Sequence, residues 1–140
     1  MIEFPAILEK EKKGKGYNLH FPDLPGCVTC GDTVKETLQY GKEALTGYLE
    51  SIDSRRLKVP HPSKRKGKNI HFIAPNKNVG LAVWLKWMRE QKGFSQEDVA
   101  GKLGVAYQTY QKFENPNISN PTLKTIIKLE NVFGRELIKI

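Results

Sequence analysis

Two periods divide this chain. Over roughly its first thirty residues apolar and polar positions alternate; beyond that, apolar residues recur mostly every three or four positions. Ile2, Phe4, Ala6 and Leu8 share one parity, the period of a strand. Pro5 either weakens the strand assignment or places the strand at a sheet edge, because it offers no ladder donor. A polar turn over 12–16 leads to Tyr17-Asn18-Leu19-His20-Phe21, which alternates again, so the two runs predict a hairpin. Pro22, Pro25 and Gly26 end the second run, and Cys27-Val28-Thr29-Cys30 predicts a third brief strand.

The period then changes. Thr33 with Glu36 three residues on forms a capping box, the start of a helix. Val34, Leu38, Gly41, Leu45, Tyr48, Leu49 and Ile52 follow as one stripe. Gly41 and Gly47 lower helix propensity; Gly41 lies on the stripe, where close packing on a sheet accounts for it. The pattern predicts one amphipathic helix over 34–52, laid across a small antiparallel sheet. Residues 59–63 are stiff and irregular, and 69–73 have strand composition and return to the sheet. The first domain is placed at 1–74 and a hinge at 75–78.

From 79 to 140 the pattern is helical. Leu81, Trp84, Leu85 and Met88 give a first helix its apolar face, with Trp87 off the stripe. Ser95 with Asp98 resembles a second capping box; Val99, Ala100 and Leu103 form a face, and Gly104 stands where a left-handed residue ends a helix. After a turn at Val105, residues 107–114 predict a short helix with Tyr110 and Phe113 inward. Asn120-Pro121 opens a last helix, with Leu123, Ile126, Ile127, Leu129 and Phe133 over it and Gly134 at its end. The β-branched tail over 135–140 predicts a strand that pairs with its twin in a dimer.

An inward Tyr110 and Phe113 leave Tyr107, Gln108, Gln111 and Lys112 outward. Amides pair bidentately with adenine edges, and lysine donates to guanine or phosphate. A helix presented this way enters the major groove of duplex DNA. The plainer interpretation is a helical domain whose polar face meets water.

Charge sharpens the choice. The chain has 140 residues and a net charge of +8. Residues 1–60 hold nine basic and nine acidic side chains, 61–78 hold five basic and none acidic, and 79–140 hold nine basic and six acidic. A basic surplus beside this helical pattern favours phosphates; for 64–68 a solvated linker is an equal alternative. No run of about 18 apolar residues suggests a membrane span, and the first residues lack a basic-then-apolar signal pattern, so a cytoplasmic location is expected. Cys27 and Cys30 form one Cys-x-x-Cys with no second pair for zinc, and two reduced thiols are expected. His20 is a lone strand histidine, and Asp23 lies in a proline-bounded turn with no evident partner. No acid–base pair, nucleophile with its base, or metal cluster is visible; the expectation is not an enzyme, with no cofactor and no metal. About sixty residues bury only a modest core, so the first domain is expected to lean on a partner or on a second copy of itself.

Two resemblances follow. Arg89…Gly93-Phe94-Ser95-Gln96-x-x-Val99-Ala100-x-x-Leu103-Gly104-Val105, then Tyr110-x-x-Phe113-Glu114-Asn115 and Pro121-x-Leu123, resembles the Cro/repressor-type helix-turn-helix over about 79–134. The resemblance implies an Arg89–Glu114 ion pair, a phosphate contact from Gln96, and base contacts from Tyr107, Gln108 and Lys112. Thr109, Gln111 and Asn115 complete the candidate set. The family's Ser or Thr cap of the recognition helix is replaced by Ala106, a bond worth roughly 1 kcal/mol.

Tyr17-x-Leu19-x-Phe21-Pro22-Asp23-Leu24-Pro25-Gly26-Cys27-x-x-x-Gly31-Asp32-Thr33, followed by Glu36-x-Leu38…Lys42-Glu43-Ala44-Leu45…Tyr48-Leu49, resembles the HicB antitoxin family. It implies a partial ribonuclease-H-like fold without catalytic carboxylates, and neutralisation of a HicA-like toxin ribonuclease by direct binding. By motif position, Phe21, Asp23, Leu24 and Pro25 are the toxin-binding candidates. HicB proteins often carry a DNA-binding domain that represses their own operon. The fold class expected is α+β, a small antiparallel sheet with one helix followed by an all-α helix-turn-helix domain. The partners expected are a HicA-like toxin, operator DNA and a second copy of the chain. One recognition helix reads too few base pairs to select a site, and a two-fold dimer reads half-sites about one turn apart. The alternative is a ligand-responsive repressor without a toxin partner.

Overall fold

The computed structural model describes residues 2–136. Contacts divide the described chain into two units, 2–76 and 77–136, the first α+β and the second all-α. In the first, β1 (Phe4–Lys10), β2 (Tyr17–His20), β3 (Val28–Gly31) and β4 (Ile70–Ile73) form one antiparallel sheet in the order β3-β2-β1-β4. Helix α1 (Val34–Ser54) packs on one face.

β1 is therefore an interior strand, although its proline pointed to an edge. The register removes the conflict. β2 pairs with β1 from Ile7 onward, and β4 pairs with it from Phe4 to Ile7. At Pro5 the strand has one paired neighbour. The Leu8 N–H donates to the Asn69 carbonyl at 2.9 Å. Alternation along an antiparallel ladder then puts Pro5, opposite Phe72, at a non-hydrogen-bonded position. The missing N–H removes no ladder bond.

Phe4, Ala6, Leu19 and Ile73 from the sheet and Leu45, Leu49 and Ile52 from α1 are buried. A Cβ on Gly41 would run into Leu19 Cδ2 and come within 3.1 Å of Ile73 Cδ1, so glycine lets the helix settle onto the strands. Val34 lies exposed, off the expected stripe, while Thr37 and Thr46 are buried in it. Each hides its hydroxyl by donating four residues back, Thr37 to the Thr33 carbonyl at 2.7 Å and Thr46 to the Lys42 carbonyl at 2.8 Å. Thr33 caps the helix, its Oγ1 accepting the Glu36 N–H at 3.1 Å.

The proline-bounded turn is built on a three-residue spacing. Phe21, Leu24 and Cys27 are buried. The Leu24 N–H donates to the Phe21 carbonyl, and the Cys27 N–H to the Leu24 carbonyl, both at 3.0 Å. Tyr48 Oη donates to the Pro25 carbonyl at 2.8 Å and ties the turn to α1. Burial pushes the Cys27 thiol up to about 11, whereas Cys30 is exposed; both are free.

The second unit contains α2 (Lys77–Lys92), α3 (Gln96–Leu103), α4 (Tyr107–Phe113) and α5 (Leu123–Phe133). α2 starts two residues before the expected 79 and takes in half of the expected hinge. Leu81, Leu85 and Met88 of α2, Val99, Ala100 and Leu103 of α3, Tyr110 of α4, and Ile126, Leu129 and Phe133 of α5 form one core. Trp84 packs edge-on against Phe133, ring centroids 5.8 Å apart. α3 opens with a full capping box: Ser95 Oγ accepts the Asp98 N–H at 3.0 Å, and Asp98 Oδ2 accepts the Ser95 N–H at 2.8 Å. Those bonds hold the Asp98 carboxyl below the usual carboxylate range. Gly104 and Gly134 end α3 and α5 at φ of 73° and 66°. The cap of α5 is Thr122, whose Oγ1 accepts the Thr125 N–H at 3.2 Å, so the expected Asn120-Pro121 start lies outside the helix. The strand expected over 135–140 falls mainly on residues 137–140, outside the described residues. Among the described residues no helix is long and apolar enough to cross a membrane.

Two measurements check this packing. Gly41→Ala should destabilise the chain by about 1–3 kcal/mol through overpacking. Gly47→Ala, with open space around the added carbon, should stabilise it by about 0.5–1 kcal/mol; urea unfolding separates the two. Asp98→Asn should lower the thermal midpoint near neutral pH. Because the folded-state value is depressed, that contribution exists above the ordinary aspartate range and is lost as pH falls through the folded value. The gap between parent and variant should therefore close on acidification.

Candidate nucleic-acid interface

The interface is organised from beneath by one carboxylate. Glu114 caps the end of α4, its side chain 2 % exposed. Arg89 of α2 reaches it bidentately, Nε donating to Oε2 at 2.7 Å and Nη2 to Oε1 at 3.1 Å. Arg89 Nη1 also donates to the Phe94 carbonyl at 3.1 Å, in the α2–α3 turn. Gln96, the first residue of α3, donates from Nε2 to Glu114 Oε1 at 3.1 Å. Three helices thus meet at one buried charge. A planar guanidinium matches a carboxylate in this two-bond geometry, which suits arginine and not lysine. The hydrogen bond to Glu114 raises the Arg89 pKa further above its ordinary value. Tyr110 is fully buried beside the pair, and burial first, then the Glu114 carboxylate, push its phenol well above the usual range.

With its base fixed, α4 turns its other side outward. Tyr107, Gln108, Thr109, Gln111 and Lys112 are all exposed, while Tyr110 is buried and Phe113 half-buried, rings 6.2 Å apart edge to face. Ala106 stands at the N-cap with no side-chain bond. Tyr107 Oη donates to Gln96 Oε1 at 3.3 Å and links the starts of α3 and α4. Two candidates are more occupied than the pattern suggested. Gln96 is half-buried and bonded at both ends of its amide, leaving one N–H of Nε2 for a phosphate. Asn115 is half-buried, and its Oδ1 accepts the Asn117 N–H at 3.0 Å, so it shapes the turn after α4.

The four residues taken from the turn motif of the first unit are corrected by burial. Phe21 and Leu24 are 2 % and 0 % exposed, so their side chains belong to the core and offer no surface to a partner. Asp23 is half-buried and accepts the Ser63 N–H on Oδ2 at 2.8 Å, a partner forty residues away that pattern reading missed. Pro25 alone of the four is exposed. The sheet face opposite α1 is more open. Register sets Val28, His20, Ile7 and Ile70 in one row across it, with Phe72 one pair further along. Val28 and Phe72 are 64 % and 47 % exposed. Within β1 and β2 alternation held part of that signal, since Ile7 takes the parity opposite to Phe4 and His20 that opposite to Leu19; for Val28 and Phe72 the register was needed. Among the described residues no three metal-ligating side chains gather.

Removing Arg89 leaves the Glu114 carboxylate buried and uncompensated. Arg89→Met should therefore cost about 3–5 kcal/mol in the second unit, read by urea unfolding. Glu114→Gln, which retains an acceptor for Arg89, should cost less.

Known proteins share both halves. A family model for a helix-turn-helix matches residues 85–140. Antitoxin HicB 1 of Photorhabdus laumondii is 25 % identical over 138 residues, covering 97 % of this chain and 84 % of that one. Antitoxin HicB of Escherichia coli K12 is 27 % identical over 114 residues, 81 % of each chain. The crystal structure of the Burkholderia pseudomallei antitoxin HicB superposes with a TM-score of 0.48 at 15 % identity, over 74 % of this chain and 96 % of that one. A second family model, described as the HicB-like antitoxin of a bacterial toxin-antitoxin system, matches residues 4–73, half of the sequence, and the chain belongs to that family.

Proposed function

We propose that the chain is an antitoxin that works by binding alone, neutralising a HicA-like mRNA-cleaving ribonuclease through the first unit and repressing its own operon through the second. The observation that carries the repressor half is the exposed row of Tyr107, Gln108, Thr109, Gln111 and Lys112 on a helix whose inner end is pinned by Arg89 and Gln96. Gln108 and Gln111 offer bidentate amides to base edges, and Lys112 a charge to guanine or phosphate. The spare N–H of Gln96 supplies a phosphate contact, and Asn115 supports the row from the turn behind it. Ile118, Leu123 and Ile127 expose apolar side chains around the start of α5. That surface suits a second copy, and a two-fold dimer would read a palindromic operator.

Toxin binding is assigned to the open sheet face that carries Val28 and Phe72, with exposed Pro25 kept as a candidate on the turn, because the other motif residues are spent on the core or on Ser63. An exposed apolar row on a small unit is the kind of surface a protein partner covers.

The two halves are tested together. Gln108→Ala should weaken binding to the duplex upstream of the gene by roughly 1–3 kcal/mol and relax base preference. Phe72→Asp should release the product of the adjacent gene in co-purification. Each variant should retain the activity that the other loses. If Gln108→Ala freed the toxin, or Phe72→Asp abolished base preference, the division of labour would be wrong.

A further inference from the structure

One corner of the first unit carries charge that neither surface above uses. Lys12, Lys13 and Lys15 occupy the turn between β1 and β2, and Lys10 ends β1. The Leu8–Asn69 bond brings Lys68, next in sequence to Asn69, near the end of β1. Lys68 therefore lies near the base of that turn, although far from it in sequence, and Lys66 precedes it by two residues in the segment that enters β4. All six lysines are exposed, and among the described residues none of them forms an ion pair.

Two carboxylates share the corner. Glu9 is exposed. Glu11 is half-buried and folds back over the turn; a Cβ on Gly14 would lie 2.6 Å from its Oε2, and one on Gly16 would lie 3.0 Å from its Oε1. The glycines give that carboxylate room inside the turn and leave the lysines to face water. Asp32 and Glu36 lie at the start of α1, on the β3 side of the sheet.

The chemistry of the corner selects its occupant. Lysine is a flexible point charge that suits phosphate oxygens. No exposed aromatic ring accompanies the six, so stacking on single-stranded bases is not provided for. No exposed apolar centre does either, and protein interfaces are depleted in lysine and built around such a centre. We propose that this lysine corner is a second, sequence-independent contact surface for the phosphate backbone of duplex DNA. The identity of that duplex as the operator and its flanks rests on the function proposed above. The corner tightens binding to all duplexes alike and steepens its salt dependence, leaving base choice to α4.

The test uses the full chain. Parent and a K12Q/K13Q/K66Q/K68Q variant are titrated by fluorescence anisotropy against the duplex upstream of the gene and an unrelated duplex of equal length, from about 50 to 200 mM salt. The expected result is a log–log salt slope shallower by about 2–4, with the same fold loss on both duplexes. A K35Q/K42Q control, on α1, should keep the parental slope. The pairs K12Q/K13Q and K66Q/K68Q, each giving about half of the change, keep the test decisive if the fourfold variant folds poorly. An unchanged slope overturns the proposal while leaving the base-reading helix intact, provided the parent still prefers the upstream duplex. A parent without that preference removes the operator reading, and the slope comparison still decides the corner. Loss of the co-purifying protein at unchanged slope makes the corner a protein-binding face and overturns the proposal.

Discussion

The outward row of α4 rests on a single buried carboxylate. Glu114 lies at the end of a helix of seven residues, too short to be stable alone. It gathers a guanidinium from α2 and an amide from α3, so the orientation of α4 is fixed at its inner end by two neighbouring helices. The outer end has no such anchor: Ala106 provides no cap, and the Tyr107–Gln96 bond is long at 3.3 Å. The polar row is thus held firmly where it leaves the core and loosely where it would first meet DNA. A buried ion pair is weak evidence for stability against an apolar replacement. Its value here is geometric, because a bidentate contact permits one orientation where an apolar one permits several.

The first unit uses its polar groups differently. Thr37, Thr46 and Asp23 are hydroxyls and a carboxylate turned toward the interior, each spent on a backbone group. The conspicuous Phe-Pro-Asp-Leu-Pro-Gly-Cys string is therefore a device for turning the chain: its apolar members fill the core every third residue, and its aspartate holds the segment around Ser63. A motif recognised across a family need not be its binding site. Here it turns the chain and fills the core of the first unit.

Much of this was legible from pattern. Both periods gave the right elements, and the left-handed glycines at 104 and 134 fell where helices end. What pattern could not supply was partnership at long range. Pro5 pointed to an edge because a sequence does not show that β2 and β4 engage β1 over different stretches. Asp23 looked solitary because Ser63 is forty residues away. Phe21 and Leu24 were candidates for contact by their place in the motif, which cannot tell a core turn from an exposed one. Asn120-Pro121 looked like a helix start because a rigid proline there is common, yet the Thr122 hydroxyl supplies the acceptor that the first turn needs. On α4 the outward residues followed once Tyr110 was assigned inward, since seven residues at 3.6 per turn leave little choice.

Charge placement separates the two proposed tasks physically. The Arg89–Glu114 pair is buried and short, where salt has little access and the interaction is directional. The lysines around the β1–β2 turn are exposed and, among the described residues, form no ion pair; there their field reaches about 10 Å at ordinary ionic strength and has no preferred orientation. Removing the first should change the second unit itself; on the proposal above, removing the second should change only how strongly the chain is drawn to polyanions. Stability and base choice should therefore depend weakly on salt, and overall affinity steeply. A chain whose affinity and base preference weakened together as salt rose would be using one set of charges for both.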